Sequence, residues 1–300
     1  MNWADVWNAM FGGLADYGEI LVLVSNSVVA GAVLGLVGGL IGVFVMQRDM
    51  AFAVHGISEL SFAGAAFALL VGFDVVTGSI VGSLIAAAII GVLGARARDR
   101  NSIIGVLMPF GLGLGILFLS LYDGRSANRF SLLTGQIVSV QSGQLGWLIV
   151  ISGFVLLGML LIWRPLRFDS LDPQSAAARG VPTTAVSLGF MLLLGLIVAV
   201  SVHIIGALLV MALLVTPAAA AMRVATGPIA VPVLAAAFGF ASAVGGILLA
   251  IAGTLPVSPY ITTISFVIYL VCRGIGARRA RGTRAAESRR PSRRPLRAAR

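Results

Sequence analysis

The sequence predicts an all-α protein, a polytopic transmembrane helical bundle with about nine spans. Of its 300 residues, 59% are hydrophobic and only 11% are charged. Several apolar runs reach the roughly 20 residues that a helix needs to cross the hydrocarbon core of a bilayer. Short polar breaks separate these runs. Together, these observations exclude a water-soluble domain.

The nine predicted spans follow the apolar runs in chain order. They cover residues 20–46, 51–72, 75–93, 102–121, 145–162, 183–202, 204–221, 228–252 and 261–271. The longest internal polar loop is expected at 163–182, and a short surface helix at 130–135.

The arginines predict the orientation of the bundle. They follow spans one, three, five, seven and nine, and these loops share one side of the membrane, which the positive-inside rule makes cytoplasmic. The N-terminus is then outside and the C-terminus inside. Residues 1–19 form an extracytoplasmic N-terminal segment and 20–273 the transmembrane domain. Residues 274–300 form an Arg-rich cytoplasmic tail, expected to be disordered because it has almost no large apolar residue.

Charge and residue usage exclude several classes of function. The net charge is +10, but 11 of the 21 basic residues lie from Arg273 onward, so membrane lipids and not nucleic acid are the expected contact. Cys272 is alone, which excludes an intramolecular disulfide and a thiolate metal cluster. Without lysine there is no ATP-binding phosphate loop, and no paired-histidine or serine-triad motif stands out. The chain is therefore not expected to be an enzyme.

The second span carries the candidate metal ligands. His55 and Glu59 are four residues apart, so they lie on one face of a helix, within an otherwise apolar stretch. Ionisable groups inside a membrane are costly and usually line a substrate or ion pathway. An imidazole and a carboxylate suit Zn²⁺, Mn²⁺ or Fe²⁺. The simpler alternative is that the two side chains only hydrogen-bond each other and nearby backbone.

His203 is a weaker candidate ligand. It lies between the sixth and seventh spans, at the predicted outer mouth, where it could be an entrance ligand for a cation. A histidine at a membrane interface also needs no special role.

Four segments resemble the membrane permeases of ABC importers for zinc, manganese and iron(II). The family's second helix reads Asp-Ala-x-Ser-His-Ala-x-Leu-Pro-Gly, and here His55 and Glu59 occupy the acid and histidine positions in reversed order. Residues 205–221 resemble its Val-Gly-x-Leu-Leu-Val…Pro-Ala-x-x-Ala helix, and 172–181 its ATPase-docking segment. Residues 256–259 are similar to the turn before its final helix.

The resemblance implies a multi-pass subunit in the cytoplasmic (inner) membrane of a prokaryote. It implies a homodimer, a cytoplasmic ABC ATPase that hydrolyses ATP, and an extracytoplasmic metal-binding protein. The ATPase-coupling loop would contain Asp172, Pro173, Arg179 and Gly180. No cofactor is expected to be permanently bound. The transported ion would be Zn²⁺ or Mn²⁺, with zinc slightly favoured by the imidazole.

Two other classes of function compete with this interpretation. The first is a stand-alone secondary transporter in which His55 and Glu59 form a proton or cation relay. The second is a structural or lipid-binding membrane protein, which leaves the intramembrane pair unexplained.

Overall fold

The computed structural model describes residues 17–93, 97–124, 137, 140–253 and 256–288. In this part of the chain the secondary structure consists of eleven helices and no strand. The helices are α1 (Tyr17–Leu23), α2 (Ser25–Gln47), α3 (Ala51–Val71), α4 (Val75–Leu93), α5 (Ala97–Leu121), α6 (Ser142–Leu171), α7 (Pro173–Ala178), α8 (Thr183–Ile205), α9 (Ala207–Val224), α10 (Ala230–Ile251) and α11 (Val257–Ser288).

The predicted membrane bundle is confirmed. Eight described helices are long and apolar enough to cross a membrane, namely α2 to α6, α8, α10 and α11. A ninth apolar stretch, Leu209–Val224 of α9, is shorter. Each of the nine predicted spans corresponds to one of these helices.

Helix α3 lies at the centre of the packing. It contacts α4 and α5 on one side and α8 and α9 on the other. Helices α2, α9, α10 and α11 form a second group around α9. The most apolar stretches of α2, α3 and α8 are 67–72% buried, whereas those of the other long spans are 22–39% buried. The helix that carries His55 and Glu59 is therefore an inner one.

Helix α2 packs on its neighbours through glycine. A Cβ atom on Gly35 would overlap the carbonyl of Gly239 in α10, and one on Gly39 would overlap the carbonyl of Ala235. On the neighbouring face, a Cβ on Gly42 would overlap the carbonyl of Leu214 in α9. Backbones approach this closely only where side chains are absent, which is how helices gain packing contacts in a bilayer.

Two segments are more helical than the sequence suggested. Helix α6 continues past the predicted span end at 162, through Pro165, to Leu171, so the expected polar loop 163–182 is mostly helix. Asp169 and Ser170 in this extension bond Arg48, which follows α2 in the chain. The predicted surface helix at 130–135 lies outside the described residues.

Residues 274–288 of the C-terminal tail also differ from the expectation, whereas residues 289–300 lie outside the described residues. Helix α11 continues through Arg273 to Ser288, whereas disorder was expected from Gly274. Alanine and arginine, frequent in this stretch, are good helix formers. Arg279 also donates a hydrogen bond of 2.8 Å to the carbonyl oxygen of Val224, which ties the extension to the end of α9.

The glycine contact predicts a stability loss from one added methyl group. Gly35→Ala should force α2 and α10 apart and cost about 1–3 kcal/mol, the usual range for overpacking. The measurement is thermal unfolding of the purified protein in detergent. Gly153→Ala is the matched control, because a Cβ there meets nothing within 4 Å. Equal melting temperatures for the two variants would contradict the close contact.

Candidate metal site

His55 and Glu59 lie in the first half of α3, on the same face. Their Nε2 and Oε1 atoms are 3.6 Å apart, and their side chains are 26% and 6% exposed. At a rise of about 1.5 Å per residue, the two positions are roughly 6 and 12 Å along the helix from Ala51. The pair therefore lies inside the bundle, with the imidazole nearer the accessible side.

The pair is not satisfied by hydrogen bonds. The 3.6 Å separation is longer than a hydrogen bond, and His55 Nδ1 and Glu59 Oε2 are buried without a hydrogen-bond partner. A buried polar atom without a partner costs about 1–3 kcal/mol, more for a charged group. This does not fit the simpler alternative, in which the two side chains satisfy each other and the nearby backbone. It fits groups that accept a further ligand.

A break between two helices lies beside the pair. The Ser58 hydroxyl donates a hydrogen bond of 3.1 Å to the carbonyl oxygen of Ala207, the first residue of α9. Gly206 separates α8 from α9 with φ 83° and ψ 155° and is buried. Irregular backbone at membrane depth is tolerated only where protein surrounds it or it lines a cavity. The α8–α9 junction therefore lies next to Ser58, the residue before Glu59.

His203 belongs to a different environment. Its Nε2 accepts a 3.1 Å hydrogen bond from the side-chain amide of Gln144, at the start of α6, and its Nδ1 is buried without a partner. Among the described residues, no three His, Cys, Asp or Glu side chains are grouped as a metal site requires. The structure thus does not bring His203 into a three-residue ligand group with His55 and Glu59.

Asp74 supplies negative charge near His203. It interacts electrostatically with His203 and accepts hydrogen bonds of 2.8 Å from both the backbone N–H and the hydroxyl of Thr77. The backbone hydrogen bond from Thr77 is the main cause that holds the pKa of Asp74 below its usual value. This carboxyl group is therefore an anion at neutral pH, at the turn between α3 and α4.

The predicted coupling segment folds as a short helix. Asp172 is the N-cap of α7 and accepts hydrogen bonds from the Ser175 backbone N–H at 3.0 Å and from the Ser175 hydroxyl at 2.5 Å. The side-chain bond is the main cause of the lowered pKa of Asp172. Pro173 occupies the first turn, and Gly180 follows the helix with φ 82°. The guanidinium of Arg179 lies 5.5 Å from the centre of the Phe168 ring.

An apolar cavity lies away from the pair. It has a volume of about 620 Å³ and opens between α3, α4 and α5. Its lining is almost entirely apolar and includes Phe67, Phe110 and Phe118, with Asp74 as the one charged residue. His55 and Glu59 do not line it, so it is not the candidate metal site.

Comparisons with known proteins place the chain in a family. Residues 21–274 match the family model described as ABC 3 transport family. The chain belongs to the ABC 3 transport family. It is 29% identical to the manganese transport system membrane protein MntC of Halalkalibacterium halodurans, over 87% of this chain and 92% of that protein. It is 27% identical to the manganese import system permease protein ScaB of Streptococcus parasanguinis, over 82% and 88% of the two chains.

The fold of this ABC 3 family member also matches a solved structure. A chain of PsaBC from Streptococcus pneumoniae, in complex with Fab, superposes with a TM-score of 0.77 at 26% identity, covering 86% of this chain and 95% of that one. These relationships confirm the predicted identity as a membrane permease subunit of the metal ABC importer family. The chain is thus a transport component, and ATP hydrolysis takes place on a separate subunit.

Sequence reasoning missed two sets of residues in this ABC 3 permease. Gly206 was assigned no role, although a glycine between two apolar runs is a signal for unusual backbone. Arg48 and Asp169, which form a buried ion pair of 2.7 Å, were not connected, because 121 positions separate them. The presence of Asp169 in the arginine-containing segment 164–179 was the available signal.

The conformation of Gly206 predicts a strong effect of adding a side chain. The combination of φ 83° and ψ 155° is nearly exclusive to glycine, so Gly206→Ala should cost on the order of 1–3 kcal/mol. Thermal unfolding in detergent measures the loss. Gly189→Ala, in the helical part of α8 with no atom within 4 Å of the added Cβ, is the control and should change little. A Gly206 variant as stable as this control would disprove the strained junction.

Proposed function

We propose that this permease imports a divalent transition metal ion across the cytoplasmic membrane by alternating access. In this proposal, His55 and Glu59 bind the ion during its passage. The observation that carries the proposal is the pair itself: an imidazole and a carboxylate on one face of an inner helix, each with a buried atom that lacks a partner. A divalent cation provides the interaction that these atoms otherwise lack.

Two protein ligands favour a transient site over a tight one. Structural sites for such metals use four ligands, whereas a transported ion must also leave. We propose that a second copy of this permease supplies another His55 and Glu59 pair, so that a homodimer encloses the ion. Because His55 is the more exposed member of the pair, we expect it to bind an arriving ion before Glu59 does.

Manganese is the first candidate for the transported ion. The MntC and ScaB relatives are named for manganese transport, and carboxylate ligands suit Mn²⁺. The sequence alone slightly favoured Zn²⁺, because an imidazole suits zinc. The reversed order of His55 and Glu59 keeps both ligand types, so Zn²⁺ remains the second candidate in this proposal.

We further propose the partners of the permease and its orientation. A cytoplasmic ABC ATPase docks at α7, around Asp172, Pro173, Arg179 and Gly180. An extracytoplasmic metal-binding protein delivers the ion at the opposite face, where His203 and Asp74 form the entrance. For His203 to bind metal through Nε2, its hydrogen bond to Gln144 must open. The N-terminus then lies outside and the C-terminus in the cytoplasm.

The experiment that tests this function is metal uptake into proteoliposomes containing the permease, its ATPase and its binding protein. We expect ATP-dependent uptake of Mn²⁺, with Zn²⁺ as competitor. His55→Ala and Glu59→Ala should each reduce uptake more than about tenfold, since a lost ligand worth 1.4 kcal/mol already changes an equilibrium tenfold. Assembly of the complex should remain intact.

A matched control separates ligand loss from general damage. Ser242→Ala removes a buried hydroxyl that bonds only its own helix, through the Phe238 carbonyl oxygen at 2.8 Å, and should transport normally. Normal uptake by the His55→Ala, Glu59→Ala double variant would refute the ligand assignment. Uptake by the permease alone, without ATP or partners, would instead support the secondary transporter.

Helix α7 generates a separate prediction about coupling. Asp172→Arg removes the N-cap and reverses its charge, and Arg179→Glu reverses the charge at the other end of α7. Both variants should hydrolyse ATP with little Mn²⁺ transport, because the contact that carries motion between the subunits is lost. The measurement is the number of ions transported per ATP hydrolysed.

The control for this prediction lies at the predicted outer side. Asp123→Arg makes the same charge change at an exposed position after α5 and should leave the ratio unchanged. If both α7 variants also kept the wild-type ratio, the docking site would have to lie elsewhere.

A further inference from the structure

A buried ion pair and its hydrogen bonds join the connection between α2 and α3 to α6 and α8, the helices before and after α7. The Nη1 atom of Arg48 lies 2.7 Å from Asp169 Oδ2, and the two side chains are 10% and 4% exposed. Nη1 also donates to Ser170 Oγ at 3.3 Å, and Nη2 donates to Ser187 Oγ at 2.9 Å. The guanidinium lies 5.8 Å from the centre of the Phe190 ring. Arg48 therefore binds α6 and α8 at the same time.

The two helices that Arg48 binds are those that flank α7. Asp169 lies three positions before Asp172, which both ends α6 and caps α7. Because one residue serves both helices, no flexible loop separates Asp169 from α7. On the other side, Ser187 lies in the first turns of α8, shortly after Gly180. A displacement of α7 must therefore move the groups that hold Arg48.

Backbone hydrogen bonds fix Arg48 and Met50 to the end of α2, directly before α3 begins. The Arg48 N–H donates to the carbonyl oxygen of Phe44 at 3.1 Å, and the Met50 N–H donates to that of Val45 at 2.9 Å. Asp49 between them adopts φ 51°, which turns the chain sharply into α3. His55 follows within the second turn of α3. Arg48 is thus a rigid part of the α2–α3 hairpin rather than a residue on a free loop.

We propose that the contact of Arg48 with Asp169, Ser170 and Ser187 is the link that transmits movement of α7 to the metal-binding part of α3. This inference rests on the proposed import function and assigns Arg48 and Asp169 as positioning residues. A buried guanidinium that makes several directed hydrogen bonds fixes geometry in a way that an apolar contact does not. The link has no role in binding the ion itself.

The test uses the complete transport complex in proteoliposomes, with Mn²⁺ and ATP. Asp169→Asn keeps the shape but removes the charge, and Arg48→Lys keeps the charge but removes the planar fork. We expect both to retain ATP hydrolysis while the number of Mn²⁺ ions transported per ATP falls at least fivefold. A merely structural pair would lower the melting temperature and yield but leave this ratio unchanged in the complex that assembles.

A control variant and two substitute variants accompany this test. Arg164→Gln, at an exposed arginine of the same segment of α6, should keep the wild-type ratio. If Asp169→Asn fails to assemble, Arg48→Lys and Ser187→Ala, which removes one hydrogen bond, carry the test. A wild-type ratio in any assembled Arg48 or Asp169 variant overturns the link. If the wild-type complex transports no metal, the proposed function fails instead.

Discussion

The interior of a bilayer offers no water to polar groups, and this constraint governs the whole structure. It makes helices the dominant element, since a helix satisfies its own backbone. Several buried serines follow the same rule: Ser61, Ser79 and Ser201 each bond a carbonyl oxygen or another hydroxyl. Arg48 and Asp169 satisfy each other. Atoms of His55 and Glu59 depart from this rule, as do atoms of Gln47, Ser152 and His203. In the proposed function, a metal ion supplies the missing partner at the His55 and Glu59 pair.

Close helix packing determines the surroundings of the His55 and Glu59 pair. Glycines on α2 let that helix approach α9 and α10 to backbone contact, and α9 in turn begins beside Ser58 of α3. The buried break at Gly206 therefore lies next to the pair rather than at a membrane surface. Broken helices near a binding site are a recurring feature of transport proteins.

Helix α7 and Arg48 supply the elements that the proposed coupling requires. Helix α7 is short, capped at its start by Asp172 and followed by Gly180, and Asp172 joins it to α6 without an intervening loop. Arg48 connects α6 and α8 to the α2–α3 hairpin through directed hydrogen bonds. The same constraint that makes a buried charge costly makes such a link specific, because neither partner can be replaced without leaving the other unpaired.

The sequence by itself determined the class of fold and generated the hypotheses for the two sites. Long apolar runs predicted nine membrane-spanning helices, because spanning a bilayer needs about 20 apolar residues. The spacing of His55 and Glu59 placed them on one helix face, and the residues from Asp172 to Gly180 signalled a capped short helix. Only the tertiary structure decided that α6 continues as helix to Leu171 and that Gly206 lies beside Ser58. It also decided that His203 contacts Gln144 and that Arg48 pairs with Asp169. These features depend on contacts between residues distant in sequence. The apolar pattern of one helix does not predict which neighbouring helix its few polar groups contact.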